Sequence, residues 1–392
     1  MFLQNIGFRA DAKVQFNIAT CHIPYFMKKN KKKSKIKLSK FTYFVIGLDF
    51  LVTVALVIIY TPIVSFKNFW IPTAMTTMSH RYLAYTLYSE KSVDDVMSAN
   101  YIVGVNEKVN LNDIVIDTNG SKKHYTSKYE QEMFNKDPDN DVYKIIRIQE
   151  ENFKGYLTVV YDPSDVDLAV PKKLGKMGQS VAKLCVENDG LVGINGGGFE
   201  DLDGWGNGST PYGSIIKDGK LIWTHDGGSG GLIGFTKDHK MYLTNDAPDV
   251  AIKDGMEDAV EFGPFLIVNG KVATIKGDGG WGRAPRTVIA QRKDGVVLFL
   301  SIEGRLPGYS LGATMNDIIE VLLRYKAYNA ANLDGGASTT MAVNGKLYNR
   351  PSAGKEYGGR TVSNAWIVTN KNNKKVPVSY THLRAHETRR HL

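Results

Sequence analysis

Between Val142 and Asn370 the chain repeats one local signal, a glycine-bearing two-residue turn flanked by short apolar runs. Lys217-Asp218-Gly219-Lys220 lies within Ser214–Trp223, and Asn269-Gly270 within Leu266–Ala273. Asp294-Gly295 lies within Ile289–Ile302, and Asn344-Gly345 within Met341–Tyr348. Glycine at the second turn position supplies the positive φ that a type I′ turn requires, so each unit predicts a β-hairpin. Gly234–Thr244, around Asp238-His239, predicts a fifth.

Two helical patterns interrupt the strands. Leu174, Met177, Val181, Leu184 and Cys185 recur at helical spacing, as do Met315, Ile318, Ile319, Leu322 and Leu323. Each is followed by a short apolar strand and a polar, glycine-rich tip. The first reads Leu191-Val192-Gly193-Ile194-Asn195-Gly196-Gly197-Gly198. The second reads Ala330-Ala331-Asn332-Leu333-Asp334-Gly335-Gly336, then the hydroxyls of Ser338, Thr339 and Thr340. Asn195 and Asp334 hold equivalent places, so the two tips are expected to line one cleft. Glycines beside a strand-tip carboxylate let a ligand approach the backbone closely. The expected fold class is α+β, a strand-rich mixed-sheet globular domain with a few packed helices.

Upstream the composition changes. Phe41–Val64 carries one ionisable residue, Asp49, and as a helix would span about 36 Å, enough to cross a bilayer. Lys28–Lys40 holds eight lysines and no acid. The positive-inside rule therefore puts residues 1–40 in the cytoplasm and everything after Trp70 outside, a cell-membrane, single-pass topology. A cleaved signal peptide is the alternative. The long apolar run without an A-x-A site favours a retained anchor. Residues 65–141 read as a stalk: a helix over Thr73–Asn100, then a polar spacer over Tyr101–Asp141. Met27 reads as the better initiator, leaving 1–26 outside the native chain. At the other end 371–392 reads as a disordered tail. Within it Pro377–Leu392 resembles translated adapter sequence and is set aside with its three histidines.

The net charge of +9 comes from these ends, and Phe41–Asn370 is net acidic. A basic footprint on the folded body is missing, which excludes nucleic acid as a partner. Cys21 and Cys185 form neither a disulfide framework nor a metal site, and Cys185 reads as a small core residue. The body contains two histidines, His225 and His239, and no GxSxG, so a serine triad and a histidine zinc site have no material. Gly196–Gly198 opens no nucleotide fingerprint. No cofactor is expected. Asp201, Asp203 and Asn207 offer oxygen ligands for Ca²⁺, but without EF-hand order they read as a solvated loop.

What remains is carboxylates, arginines and glycine-lined corners. Asp334, Glu303 and Glu261 are the candidate acids; Glu303 emerges from the apolar run Val296–Ile302 with Arg305 two residues on. Arg283 and Arg286 flank Ala284-Pro285, and Arg360 precedes Val362-Ser363-Asn364. Guanidinium groups suit bidentate recognition of phosphate or carboxylate.

Several segments, in order, are similar to one family: INGGGF at 194–199, GPFLIVNGK at 263–271, RAPRT at 283–287 and SIEGRLPGYSLGATMNDIIEVLL at 301–323. NLDGGASTTM at 332–341, NGKLYNRPS at 344–352 and GGRTVSNAWIV at 358–368 continue it. Together they resemble the phosphodiester glycosidase family. Its animal member removes N-acetylglucosamine from mannose 6-phosphate, and its bacterial members are often labelled exopolysaccharide biosynthesis proteins. The resemblance covers about 142–370 and omits the anchor and stalk. Where the family commonly has Asp-Gly-Arg, this chain has Glu303-Gly304-Arg305. Ala337 replaces a frequent third glycine, and Gly359 stands where an acid often precedes the late arginine.

The resemblance implies hydrolysis of a sugar 1-phosphodiester at the anomeric C–O bond, with a sugar-phosphate or envelope glycopolymer as substrate. Asp334 is expected first and Glu303 second as the carboxylate at the anomeric centre. Arg283, Arg286 and Arg360 are expected on the phosphate, and Arg305 is expected among the substrate-binding residues. Asn195, Gly196, Gly197, Gly335, Gly336, Ser338 and Asn364 are expected to hold substrate. Two other classes stay open: a phosphodiesterase that breaks the P–O bond, and a non-catalytic envelope polysaccharide binder.

Overall fold

The computed structural model describes residues 39–60, 64–77, 80–117, 125, 127–201, 206–225, 230–355 and 358–377. Asp203 and the sequence before Ser39 lie outside the described residues, as does all but the first part of the C-terminal tail. The chain divides into two compact units, Met1–Val57 and Ile58–Leu392. One helix among the described residues is long and apolar enough to cross a membrane, Lys40–Ile59, with mean hydropathy 2.4.

The second unit is built on a seven-stranded sheet. Its strands run in the order Lys271–Val272, Phe265–Val268, Ala327–Leu333, Arg286–Arg292, Val297–Ile302, Lys154–Val160 and Tyr143–Gln149. A five-stranded sheet has the order Lys346–Leu347, Met341–Val343, Val192–Asn195, Ala365–Val368 and Val166–Ala169. Another runs Met241–Thr244, Gly231–Thr236, Met256–Phe262, Ile215–Lys217 and Lys220–Trp223. Every pairing within these three sheets is antiparallel. The hairpin signals account for much of this. Asp218-Gly219, Asn269-Gly270 and Asn344-Gly345 each have positive φ at both positions, as type I′ turns require. Around Asp294-Gly295 only the glycine is left-handed, because the strands end at Arg292 and resume at Val297, giving a longer loop.

Strand alternation sorts the apolar side chains to two faces of the large sheet. Ile289, Phe299, Ala331 and Leu333 face the two smaller sheets and share a core with Ile194, Met341, Trp366, Ile233, Phe235 and Val260. Val288, Leu300 and Ala330 face the opposite way, onto Met315, Ile318, Val321 and Leu322 of the helix Met315–Arg324. That helix begins where the sequence places it, in a capping box between Thr314 and Asp317. The earlier helix is shorter than its spacing suggests. It spans Val181–Glu187, capped by Ser180, and leaves Leu174 and Met177 in the preceding turns. Gly175 and Gly178, both in that stretch, weaken helix propagation. Cys185 is buried, its thiol pushed up to about 12 by burial, against Gly193.

The polar stretch expected as a spacer differs from that expectation. Tyr101–Val103 pairs with Thr274–Lys276, and Val115 donates its backbone N–H to Lys293 O. Ahead of it, the single stalk helix is divided into Val64–Met75, Tyr82–Leu87 and Glu90–Ala99, which bury Ile71, Ala74, Ala84, Val93 and Val96 together. The helix Lys128–Phe134 sends Met133 into the core beneath Met315–Arg324. Its Glu130 meets Arg292 at 3.1 Å and Lys326 at 2.8 Å. A buried carboxylate between two cations and a core methionine could not be anticipated from local polarity. Tertiary partners far along the chain supply the stabilisation.

Glu130→Ala removes one partner from this buried cluster. It is expected to lower the free energy of unfolding by about 3 kcal/mol, read by equilibrium denaturation. A change under about 0.5 kcal/mol would return the segment to the status of a spacer.

Candidate functional site

The two glycine-rich tips meet. Ala327–Leu333 ends at Asp334 in the large sheet, and Val192–Asn195 ends at Gly196 in a small one. Asp334 donates its backbone N–H to Gly196 O at 3.0 Å. The Asn195 side chain supplies the rest of the junction. Its Nδ2 donates to Asp334 O at 2.7 Å, and its Oδ1 accepts from Thr287 Oγ1 at 2.8 Å and from Thr340 N at 3.1 Å. Asn195 is 0 % exposed, so it positions the tips and does not present a polar group to solvent.

The glycines are needed where backbones crowd. A Cβ on Gly196 would lie 2.1 Å from Asn364 Oδ1, the atom that accepts the Gly197 N–H at 2.7 Å. A Cβ on Gly335 would lie 2.9 Å from Pro285 O, and Gly336 has φ of 60°. Asn364 therefore braces one tip, and Pro285 the other.

Asp334 stands at this junction, partly exposed. Burial raises its carboxyl and outweighs the Ser338 hydroxyl and Arg360, which lower it; Asp201 adds to the rise, and the pKa is pushed up to about 6. Arg360 is itself tied to Asp201 by an ion pair, donates to Gly206 O at 3.1 Å and covers the ring of Phe199. Arg305 lies on another side. Its guanidinium is near Gly336, and it interacts electrostatically with Asp334 without forming an ion pair with any described residue. The Arg305 backbone has φ of 57°, a left-handed conformation that costs a non-glycine residue free energy. Its side chain stands exposed at the rim of the junction.

Strand register shows how the other residues are arrayed. Leu333 pairs with Thr287, and Arg286 with Ile302. Asp334, Arg286 and Glu303 therefore sit at the same end of three neighbouring strands. The outer two are separated by two strand spacings, about 10 Å. Arg286 is buried. It donates to Ala313 O at 3.2 Å and to Gly282 O at 2.7 Å, and burial together with Arg305 lowers its guanidinium to about 9. Arg286 therefore braces the loops beneath the rim. Arg283 is engaged by Asp317 at 3.0 Å and by Gly312 O at 2.9 Å, which fastens its loop to the helix start. Glu303 is 1 % exposed and accepts the Arg350 N–H at 2.6 Å. Glu261 accepts the Ser214 N–H at 2.9 Å.

Asp334, Ser338, Arg305 and Arg360 thus form one group. Arg286 and Asn195 support it from below, and Glu303 stands apart along the sheet. The Asp201–Arg360 pair was not foreseen as part of the site, since Asp201 read as a loop acid. The family order of late arginine and early glycine tip was the signal that could have joined them. Among the described residues no three His, Cys, Asp or Glu side chains converge as a metal site. Asp201 already serves Arg360 and the Gly206 N–H.

A strand-tip acid thus stands beside a guanidinium that forms no ion pair with any described residue. Residues 188–369 match the family model described as phosphodiester glycosidase. A prophage-derived protein of Bacillus subtilis, YomE, described as uncharacterized, is 30% identical over 190 residues. That match covers 45% of this chain and 28% of the relative, so the chain spans under a third of that protein's length. Among solved structures, the zebrafish N-acetylglucosamine-1-phosphodiester alpha-N-acetylglucosaminidase catalytic domain, auto-inhibited by its pro-peptide, is similar with a TM-score of 0.49 and 22% identity. It covers 60% of this chain and 85% of its own. A hypothetical protein from Synechocystis is similar with a TM-score of 0.42 and 16% identity, over 58% and 61% of the two chains.

The raised carboxyl has a stability consequence. With its folded pKa above the unfolded value, Asp334 is no burden below about pH 4, where both states are protonated. The penalty grows as pH rises to about 6 and is full above it, reaching about 3 kcal/mol at most. Asp334→Asn is therefore expected to raise the thermal midpoint at pH 8, with the gain shrinking as pH falls to 4. A midpoint gain that does not vary with pH contradicts the raised pKa.

Proposed function

We propose that the protein is a membrane-anchored hydrolase that cleaves a glycosyl 1-phosphodiester at the anomeric C–O bond of an envelope or exopolysaccharide-type glycopolymer. Asp334, ionised above about pH 6, is the carboxylate at the anomeric centre. It activates water or stabilises the oxocarbenium-like state. Arg305 and Arg360 take up charge on the departing phosphate, and Ser338 steadies the Asp334 carboxylate. Water supplies the hydroxyl to the anomeric carbon, and the C–O bond electrons leave with the phosphate. Phosphate is a good leaving group, so less proton donation is needed than in an ordinary glycosidase. Gly196, Gly197, Gly335 and Gly336 keep side chains away from the approaching sugar.

The observation that carries this reading is the partly exposed Asp334 at the joined tips, in the electrostatic field of Arg305 and Arg360. The family match at 188–369 supports the bond type. The apolar helix Lys40–Ile59 and the lysine run ahead of it support the anchor, with the C-terminal body outside the cell.

Hydrolysis in ¹⁸O-labelled water decides which bond breaks. Label in the sugar is expected; label in the phosphate would falsify the C–O assignment and favour a phosphodiesterase. The acid limb of kcat/KM is expected near pH 6, with activity lost as Asp334 protonates. Asp334→Asn is expected to reduce kcat by about 10³-fold. Full activity in that variant would remove Asp334 from the chemistry.

A further inference from the structure

The arginines of the antiparallel body fall into two groups. Arg283, Arg292, Arg324 and Arg360 each pair with a carboxylate. Arg147, Arg286, Arg305 and Arg350 form no ion pair with any described residue, and they gather at one end of the large sheet. Register fixes the geometry. Arg147 pairs with Tyr156, Tyr156 with Ser301, Ser301 with Thr287 and Thr287 with Leu333, the residue before Asp334. Paired residues of an antiparallel sheet project to one face. This single row crosses five strands, about 19 Å from Leu333 to Arg147.

Its far end is built differently from the Asp334 end. Tyr156 meets Tyr348, which follows the neighbouring sheet's hairpin, edge to face at 4.9 Å. The Tyr309 ring carries Lys154 and Arg350, each 4.3 Å from its centroid. Arg147 is close enough to act electrostatically on both Tyr156 and Tyr309. Arg147, Arg350 and Tyr348 are exposed. Glu303 lies beneath them. One oxygen accepts the Arg350 N–H, and the Tyr309 side chain hydrogen-bonds to the same carboxylate, so Glu303 holds Tyr309 and the Arg350 backbone in place. Aromatic faces receive sugar rings, and cations without ion-pair partners receive phosphates. Arg147, Lys154 and Tyr156 also precede the segment that matches the glycosidase family model.

We propose that Arg147, Lys154, Tyr156, Tyr309, Tyr348 and Arg350, over Glu303, form a distal subsite that binds an anionic, phosphate-linked glycan several units from the bond cleaved at Asp334. It deepens the hydrolase reading and rests on it for the position of the scissile bond. The substrate class becomes a polymer with repeated phosphates, and the six residues set the preference for length. Glu303 acts there as a positioning residue beneath Tyr309 and Arg350.

Binding is tested apart from turnover, in the full-length Asp334→Asn protein in detergent. The probes are synthetic glucose 1-phosphate oligomers joined through phosphodiesters to the 6-hydroxyl, with a single repeat or four repeats. The four-repeat probe is expected to bind at least about tenfold more tightly, with the excess lost at high salt. Arg147→Gln with Arg350→Gln, both at exposed positions, is expected to remove that excess and leave single-repeat binding unchanged. Tyr348→Ala is expected to remove part of it at any salt. Equal affinity for the two probes, or an excess that survives both changes, overturns the distal subsite. If the excess is present and responds as stated, but wild-type protein turns over neither probe, the subsite stands and the hydrolase reading falls. If wild-type protein hydrolyses both probes with the same KM, the hydrolase reading stands and the subsite falls.

Discussion

The side chain of Asn195 is the joint on which the arrangement depends. It ties the backbone of Asp334 in the large sheet to Thr287 in the adjacent strand and to Thr340 at the start of a strand in another sheet. Each bond is shielded from water, so each is worth more than a surface bond, and losing the amide would strand several polar groups at once. Together with the Asp334 N–H to Gly196 O bond, the amide fixes the two sheets in register at one end. That fixed end is where the acid emerges, so its position is set by both sheets.

Around this joint the electrostatics are deliberately unbalanced. Some arginines that stabilise the fold are paired, as Arg283 is with Asp317 and Arg292 with Glu130. Arg305 carries a strained backbone beside a carboxyl held well above its ordinary range. A structure optimised for stability alone would neutralise such a site. The cost is borne by cores on both faces of the large sheet and by the clasp of Glu130 between Arg292 and Lys326.

Much of this was legible in the sequence, because local chemistry dictated it. Asp-Gly and Asn-Gly turns announced the hairpins, and the spacing of Met315, Ile318, Ile319 and Leu322 announced the helix. The matched tips at Asn195 and Asp334 could be seen as equivalent from order alone. Their sheets could not: the two strands lie in different sheets, joined by side chains, where a helix–strand repeat suggests one. The role of Asn195 was hidden for a related reason, since an amide at a strand tip looks the same whether it faces ligand or protein. Arg283 and Arg286 were legible as a pair near the site but not as braces, which depends on Asp317, Gly282 and Ala313. The segment 101–141 was misread most, because its polarity is local and its partners are remote.

That remoteness bears on how the chain is made. Glu130 and Arg292 are separated by 162 positions. A ribosome delivers the clasp long before anything exists for it to grip. The segment must wait, solvated and uncommitted, while the strands that follow assemble, and closing so large a loop contributes late to the folding free energy. Damage to the clasp would therefore show mainly as faster unfolding and reduced stability, with the rate of folding little changed.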